Sequence, residues 1–471
     1  MYRILIFALM VSAAHTPLRA ECASALCTLV AAGNLSADHR AKIRQFYEPT
    51  NYRLAWIRGG TATTQARELI EVLRDADAKG LNAEDYEPRH AESDGAEFDL
   101  ELTLAAMRYI SDLQFGRANP ALYKAGLFPA GYKSFRLREL VDTADVKAAL
   151  KGIEPPYEGY RRTQQALLRY IAIARERRGT TLPVTRKPVD PGRSYEGATQ
   201  LGELLRQVGD LPADAAMPGD SKLYQGALVD AVKRFQLRHG LEADGRLGKA
   251  TFEQLNTPLS HRVEQLRLTL ERWRWVPHSF PRPPIVVNIP EFVLRAVSDS
   301  YQTELSMKVV VGKAYGHQTP VFAAQMNEVV FRPYWNVPLS IQRAELVPKL
   351  ERDPGYLTKN HFEVVTPQDR VVTDGVTHES LRSGKLRIRQ VPGPENALGL
   401  VAFRFPNEYD VYLHGTPAME LFLKSRRDFS HGCIRAEKPR ELAEWLCEIS
   451  PVGRRSVSRT RCRGQKPSPS S

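Results

Sequence analysis

A thiol and an imidazole stand nineteen positions apart near the end of the chain, in Val411-Tyr412-Leu413-His414-Gly415-Thr416 and Phe429-Ser430-His431-Gly432-Cys433-Ile434-Arg435. A cysteine becomes an effective nucleophile when a nearby imidazole takes its proton or holds it as thiolate, and a loop of that length can bring the two together. The chemistry of such a pair is acyl transfer through a thioester, with Cys433 as nucleophile and His414 as base. Gly432 lacks a Cβ, which lets the backbone turn tightly and lets the amides of Gly432 and Cys433 point at an acyl oxygen as it becomes negative. His431 either donates to the same oxygen or hydrogen-bonds structurally. Arg435 either holds a substrate carboxylate bidentately or braces the loop through carbonyl contacts. A metal site is a poorer reading of His414, His431 and Cys433, because no spacing of the CxxC or HExxH kind accompanies them.

The elements around these residues read as strands. From Ile285 the pattern changes from helical spacing to short runs rich in Val, Ile and Phe: Ile285 to Ile289, Phe292 to Val297, Met307 to Val311, Val329 to Phe331, and Val411 to Leu413. Between Val337 and about Val391 a helical patch, Ile341 to Leu350, and charged loop-like sequence interrupt them, as an inserted flap would. A domain over 285–450 with a cap insertion at 338–391 follows.

A chain of 471 residues calls for several cores, and 42% hydrophobic with 25% charged residues excludes disorder, collagen and a multi-span membrane protein. Between 35 and 180 apolar residues recur at helical spacing, in Ala66, Leu69, Ile70, Leu73 and Ala76 before Gly80, in Leu102, Ala106, Tyr109, Ile110 and Leu113 before Gly116, and in Ala166, Leu167, Tyr170, Ile171 and Ala174 before Gly179. This is a helical scaffold without evident catalytic residues. Residues 180–194, with Pro183, Pro188 and Pro191, read as a linker, and Pro277, Pro281, Pro283 and Pro284 mark a second boundary. Between them, at 195–260, Ala231, Val232 and Phe235 share a helical face, Asp244-Gly245 signals a turn, and Thr251 opens the last helix of a small bundle suited to binding or spacing.

Residues 1–20 place Arg3 before a short apolar run, Ile4 to Ala14, which is the pattern of a secretory signal and too short for a bilayer core. Export is expected, with cleavage near Ala20. In an oxidising compartment five cysteines leave at least one thiol over. Cys22 with Cys27, and Cys447 with Cys462, are close enough in sequence to pair, which would leave Cys433. The formal charge of +12, or +10 without Arg3 and Arg19, draws a protein to polyanions, but Arg454, Arg455, Arg459, Arg461, Arg463 and Lys466 crowd a Ser- and Pro-rich segment, 451–471, that reads as a solvated disordered tail.

Several strings resemble known families. "AVKRFQLRHGLEADGRLGKATFEQLN", 231–256, looks like the peptidoglycan-binding module of wall enzymes. "HGT" followed by "SHGCIR" resembles the L,D-transpeptidase catalytic domain, and "FRPYWNVP" at 331–338 with "RQVPGPENALG" at 389–399 resembles its larger periplasmic branch, which joins a helical scaffold, a binding module and a capped catalytic domain. The resemblance implies a multidomain α+β fold: a helical scaffold domain, a small three-helix peptidoglycan-binding module, and a mostly β catalytic domain with a cap. Carried over position by position, it makes Cys433 the nucleophile and His414 the base, supported by Ser430, His431, Gly432 and Arg435, with Ser430 and Arg435 beside the substrate. In that branch the residue before Gly-Cys is often not histidine, so His431 need not be indispensable. Cap aromatics and the Tyr before the histidine contact substrate there, which makes Trp335 and Tyr412 candidates.

The reaction implied is attack of Cys433 on the carbonyl between residues three and four of a tetrapeptide stem, release of D-alanine, and resolution of the thioester by an amine of a neighbouring stem, giving a three-to-three cross-link. No metal or organic cofactor is implied, the partners are peptidoglycan stems and glycan rather than nucleic acid, and the location is periplasmic. A hydrolase on the same scaffold, with water resolving the thioester, and an inert wall-binding protein are the competing readings.

Overall fold

A computed structural model describes residues 24–32, 35–123, 135–176, 181–216, 222–449 and 461–464. The signal-like segment 1–20, Cys22 and most of the basic tail lie outside the described residues. Contacts divide the chain into two compact units, residues up to Gln114 together with 134–154, and 115–133 together with 155 onward.

The first unit is helical. Ala66, Leu69 and Leu73 of helix Thr64–Arg74 and Leu102, Ala106, Tyr109 and Leu113 of helix Ala96–Phe115 are buried, as the helical spacing requires. Thr63 caps the former, its hydroxyl accepting from the Ala66 amide at 3.1 Å. The buried Asp99 carboxylate orders the preceding loop by accepting from the amides of Ala55 (3.1 Å) and Trp56 (2.6 Å) and from the Tyr47 hydroxyl (2.7 Å).

The second unit includes a helix that periodicity groups with the scaffold. Glu158–Glu176 packs against Leu259–Arg274, burying Tyr160, Leu167 and Leu270 with Trp273 stacked on Tyr157. A helical stripe says that a face is covered without saying by what. Three helices, Ala198–Gln207, Ala227–Arg238 and Lys249–Leu255, form the small module around Leu201, Leu205, Val232, Phe235 and Phe252. The Gln236 side chain ties its turn: the amide nitrogen donates to Asp244 (2.9 Å), the Arg246 carbonyl (3.0 Å) and Thr251 (3.1 Å), and the oxygen accepts from Gly245 (2.8 Å). Part of the Pro-rich stretch read as a linker belongs to this module. Val189 bridges Leu247, Arg193–Ser194 pairs with Leu223–Tyr224, and Leu182 exchanges two hydrogen bonds with Asn256; prolines are compatible with short edge pairings and do not by themselves make a linker.

The β-rich domain is built on strands β1 (Ile285–Asn288), β2 (Val293–Val297), β3 (Thr303–Gly312) and β4 (Glu328–Phe331), then, after the cap, β8 (Val401–Arg404), β9 (Leu413–His414), β10 (Asp428–Ser430) and β11 (Ile434–Ala436). The cap contributes β5 (Trp335–Asn336), β6 (Phe362–Val365) and β7 (Arg387–Gln390). A last strand, β12 (Arg461–Gly464), lies within the tail read as disordered and pairs in parallel with β4; an open sheet edge offers unpaired backbone groups to any nearby segment. The main sheet runs β12-β4-β8-β9-β11-β3-β2-β1, with β10 also paired to β3. Its pairs are antiparallel except β9 with β11, β10 with β3 and β12 with β4. Met307, Val309, Val329, Phe403, Leu413 and Ile434 fill the core beneath helix Pro439–Ile449, which adds Leu442, Ala443 and Trp445. Each of the Val, Leu, Ile, Phe and Met side chains contributes about 1.5–3 kcal/mol on burial.

Residues 337–388 have a separate small core, Val337, Leu346, Val347, Leu350, Val364, Leu381 and Ile388, on the three-stranded sheet β6-β7-β5. Gln342, wholly buried, donates to the carbonyls of Leu381 (2.7 Å) and Leu386 (3.0 Å) and accepts from the Ile388 amide (2.8 Å). The chain leaves the cap through two more buried amides. Asn396 donates to the carbonyls of Pro333, Gln390 and Val391 and accepts from Leu398, while Gln390 donates to Asn360 and Glu395 and accepts from Ala397. Gly399 then passes against β9's continuation: at φ +62°, a Cβ there would stand 2.6 Å from the Thr416 amide nitrogen. Both the left-handed backbone and the backbone neighbour exclude a side chain. Gly399→Ala is therefore expected to destabilise this domain by about 2–4 kcal/mol, measured as a lowered thermal midpoint; an unchanged midpoint would contradict the packing described.

Candidate active site

β9 and β11 lie side by side in parallel, with Leu413 opposite Ile434 and His414 opposite Arg435, and the Ile434 amide donates to the Tyr412 carbonyl at 3.0 Å. Side chains alternate across a strand. Since Leu413 and Ile434 point into the core, Tyr412, His414, Cys433 and Arg435 project together from the opposite face. Their proximity is visible in their contacts: the Tyr412 and His414 rings are 5.4 Å apart, and the Arg435 charge acts on both Cys433 and His414. Trp335, at the base of the cap, faces the Tyr412 hydroxyl.

His414 is 5% exposed, and its Nδ1 lies 2.5 Å from the Gly415 carbonyl oxygen. A carbonyl only accepts, so Nδ1 carries the proton and Nε2 presents a lone pair. Burial foremost, and then the Arg435 guanidinium, pull the imidazole pKa down to about 3, against the effect of the Gly415 bond. Cys433 is a half-buried free thiol whose sulfur lies 3.9 Å from the Asp410 carbonyl oxygen. Burial raises its pKa; the Tyr412 amide and hydroxyl and Arg435 oppose that rise, and the Asp410 charge adds to it. Among the described residues no hydrogen bond joins the sulfur to the imidazole. The resting pair is thus a neutral thiol and a neutral imidazole with a free acceptor nitrogen, rather than a thiolate–imidazolium pair.

The turn before Cys433 differs from its sequence reading in two respects. Gly432 adopts φ +123°, which is why glycine stands there, but its amide already donates to the Ser430 hydroxyl at 3.1 Å. Only the Cys433 amide, which meets no acceptor among the described residues, is left to face an oxyanion. Ser430, expected beside the substrate, is 2% exposed and spends its hydroxyl inside the turn, donating to the Cys433 carbonyl at 2.6 Å. Thr319 closes the arrangement by accepting from the Gly312 amide (2.9 Å) and donating to the Gly432 carbonyl (2.7 Å). Nothing in its setting, Gly316-His317-Gln318-Thr319-Pro320, marks it in the sequence.

His431 stands apart from the four side chains on the common face. Its Nε2 meets Glu345 of the cap at 3.0 Å, and its ring contacts His317 edge-on. Arg435 is half-buried, and its Nε, sealed from solvent, has no hydrogen-bond partner among the described residues. Among the described residues no carbonyl accepts from this side chain, which is the contact the bracing reading asks for. Of the cysteines expected to pair, Cys27 is in a disulfide, and the Cys22 and Cys462 side chains lie outside the described residues. Among the described residues no three His, Cys, Asp or Glu side chains converge as metal ligands would.

Comparison with known families places three domains on the chain: a scaffold domain over residues 41–167, a "Putative peptidoglycan binding domain" over 194–255, and an L,D-transpeptidase catalytic domain over 282–454. The chain is also similar to a curated protein of Haemophilus influenzae described as "Putative L,D-transpeptidase", at 33% identity over 189 residues. That stretch is 40% of this chain and 38% of the relative's length.

With a buried thiol and an imidazole that stays neutral above pH ~4, alkylation of Cys433 by iodoacetamide is expected to rise through a single midpoint above pH 9.0, the ordinary value for this thiol. Arg435→Gln removes a cation that favours the thiolate, so it moves that midpoint higher and slows alkylation at neutral pH several-fold. A midpoint below 7, or an inflection near the ordinary imidazole value of 6.5, would show a preformed ion pair instead.

Proposed function

From a chain that carries an L,D-transpeptidase catalytic domain together with a scaffold domain and a peptidoglycan-binding domain, we propose a periplasmic enzyme that cross-links peptidoglycan stems through a Cys433 thioester. The observation carrying this reading is the parallel register of β9 and β11, from which Cys433, His414, Tyr412 and Arg435 share one face.

The thiol proton passes to Nε2 of His414 as sulfur attacks the carbonyl between residues three and four of a tetrapeptide stem. Because both groups rest neutral, the transfer accompanies bond formation rather than preceding it, the usual behaviour of a general base. The oxyanion faces the Cys433 amide. Collapse breaks the carbon–nitrogen bond, the departing D-alanine amine takes the proton held by His414, and a thioester remains. An amine on residue three of a second stem then attacks, His414 accepts its proton and returns it to the sulfur as the carbon–sulfur bond breaks, and a three-to-three link results. Arg435, whose Nε meets no partner among the described residues, holds a carboxylate of the bound stem. Trp335 and Tyr412 line the approach beneath the cap. The small module, which resembles peptidoglycan-binding domains, keeps the enzyme on its polymeric substrate.

A hydrolase on this scaffold differs only in letting water resolve the thioester. Incubating the protein with disaccharide tetrapeptides and weighing the products separates the two. Cross-linked dimer with free D-alanine is expected, and Cys433→Ala should lower its formation by at least about a thousandfold. Tripeptide without dimer would overturn transpeptidation, and undiminished activity in the alanine variant would overturn the thioester.

A further inference from the structure

The mechanism uses Arg435 near the sulfur and leaves Asp410, whose backbone also approaches it, unexplained. Asp410 lies at the end of the hairpin between β8 and β9, in left-handed backbone at φ +52°. Asn407 holds that hairpin by four hydrogen bonds: its side chain donates to the carbonyls of Phe405 (2.8 Å) and Val411 (2.7 Å) and accepts from the amides of Tyr409 (3.0 Å) and Val411 (3.1 Å). Asp410 is thereby fixed with its carbonyl 3.9 Å from Cys433 Sγ. Its exposed carboxylate makes no ion pair or hydrogen bond among the described residues. A turn shape alone would be met as well by Gly or Asn, which tolerate this backbone more readily. A lone carboxylate beside a nucleophilic sulfur also raises the thiol pKa, as its charge does here, and so works against the first step. Its use should therefore lie in a step where positive charge arrives.

We propose that Asp410 is a specificity residue for the acceptor: it binds the ammonium of an incoming α-amino acid centre while Arg435 binds that centre's carboxylate. The inference rests on the cross-linking reading above. Both charges act on the sulfur, and a pair of opposite sign suits a zwitterion whose amine and carboxylate share one carbon. The leaving D-alanine has that same constitution, so acceptor and leaving group use one subsite in opposite directions, as microscopic reversibility asks. In the resolving step the ammonium bound by Asp410 gives one proton to His414 Nε2, the amine attacks the thioester carbonyl, and the carbon–sulfur bond breaks. The second proton on nitrogen goes to the departing sulfur, leaving amide and thiol, with the proton on His414 released to water.

The test begins from wild-type protein and Asp410→Asn, each first converted to the thioester with a tetrapeptide donor and verified by mass. Asn keeps the left-handed turn and removes only the charge. The thioester is then resolved by D-alanine, by D-alaninamide, which lacks the carboxylate, or by hydroxylamine, which is uncharged at neutral pH. Wild type is expected to favour D-alanine over its amide. Asp410→Asn should slow aminolysis by both ammonium acceptors about tenfold, leave hydroxylamine and hydrolysis rates unchanged, and lower the alkylation midpoint of the free thiol. Equal losses with every nucleophile would mean a structural role, and an unchanged D-alanine rate or thiol midpoint would mean the carboxylate does not face the site; either overturns the proposal. Failure of wild type to form the thioester at all would instead strike the cross-linking reading on which it rests.

Discussion

A two-residue parallel pairing governs the site. Were Leu413 and Ile434 to slip by one position, His414 and Cys433 would turn towards opposite faces, because strand side chains alternate with a period of two. The register cannot slip cheaply, since Leu413 and Ile434 are anchored in a core with Val309, Phe403 and Trp445. The same burial that secures the register desolvates the groups beside it. It keeps His414 neutral and Cys433 protonated, and it leaves Arg435 as the one cation among them.

Around this pairing, backbone contacts replace side-chain packing. Gly399 lies directly on the Gly415–Thr416 backbone, and Gly415 offers its carbonyl to Nδ1 of His414. Tautomer and cap exit are therefore linked through one stretch of chain, because the Asn396 and Gln390 amides that shape the exit deliver Gly399 to its place. On the other flank Ser430 and Thr319 take up the Gly432 amide and the Gly432 and Cys433 carbonyls, and among the described residues the Cys433 amide meets no acceptor. Buried amide and hydroxyl networks of this kind rigidify when every partner is satisfied.

How far such a site is legible before its fold is known depends on which property carries the function. Cys433, His414 and Gly432 announce themselves by residue type and order, and strand-like runs of Val, Ile and Phe locate the sheet that holds them. Ser430 lies within the same string, yet whether a hydroxyl faces substrate or turn depends on a dihedral angle that no spacing encodes. The Gly432 amide is a similar case, since glycine was required by φ and its N–H was already taken. Asp410 and Thr319 carry no motif, because their roles come from the direction of one carbonyl and the proximity of loops over a hundred residues apart in the chain. Periodicity found helix 158–176 but not its partner, and proline content concealed the pairings of Val189 and Arg193–Ser194.

The chemistry of the site depends on the protonation state of one buried imidazole. Nitrogen-15 NMR of histidine-labelled protein, followed from pH 8 down to pH 5, reads it directly. His414 is expected to keep a protonated Nδ1 and a bare Nε2 throughout, without titrating. A proton on Nε2, or an imidazolium that appears near pH 6.5, would contradict a neutral base waiting beside a neutral thiol.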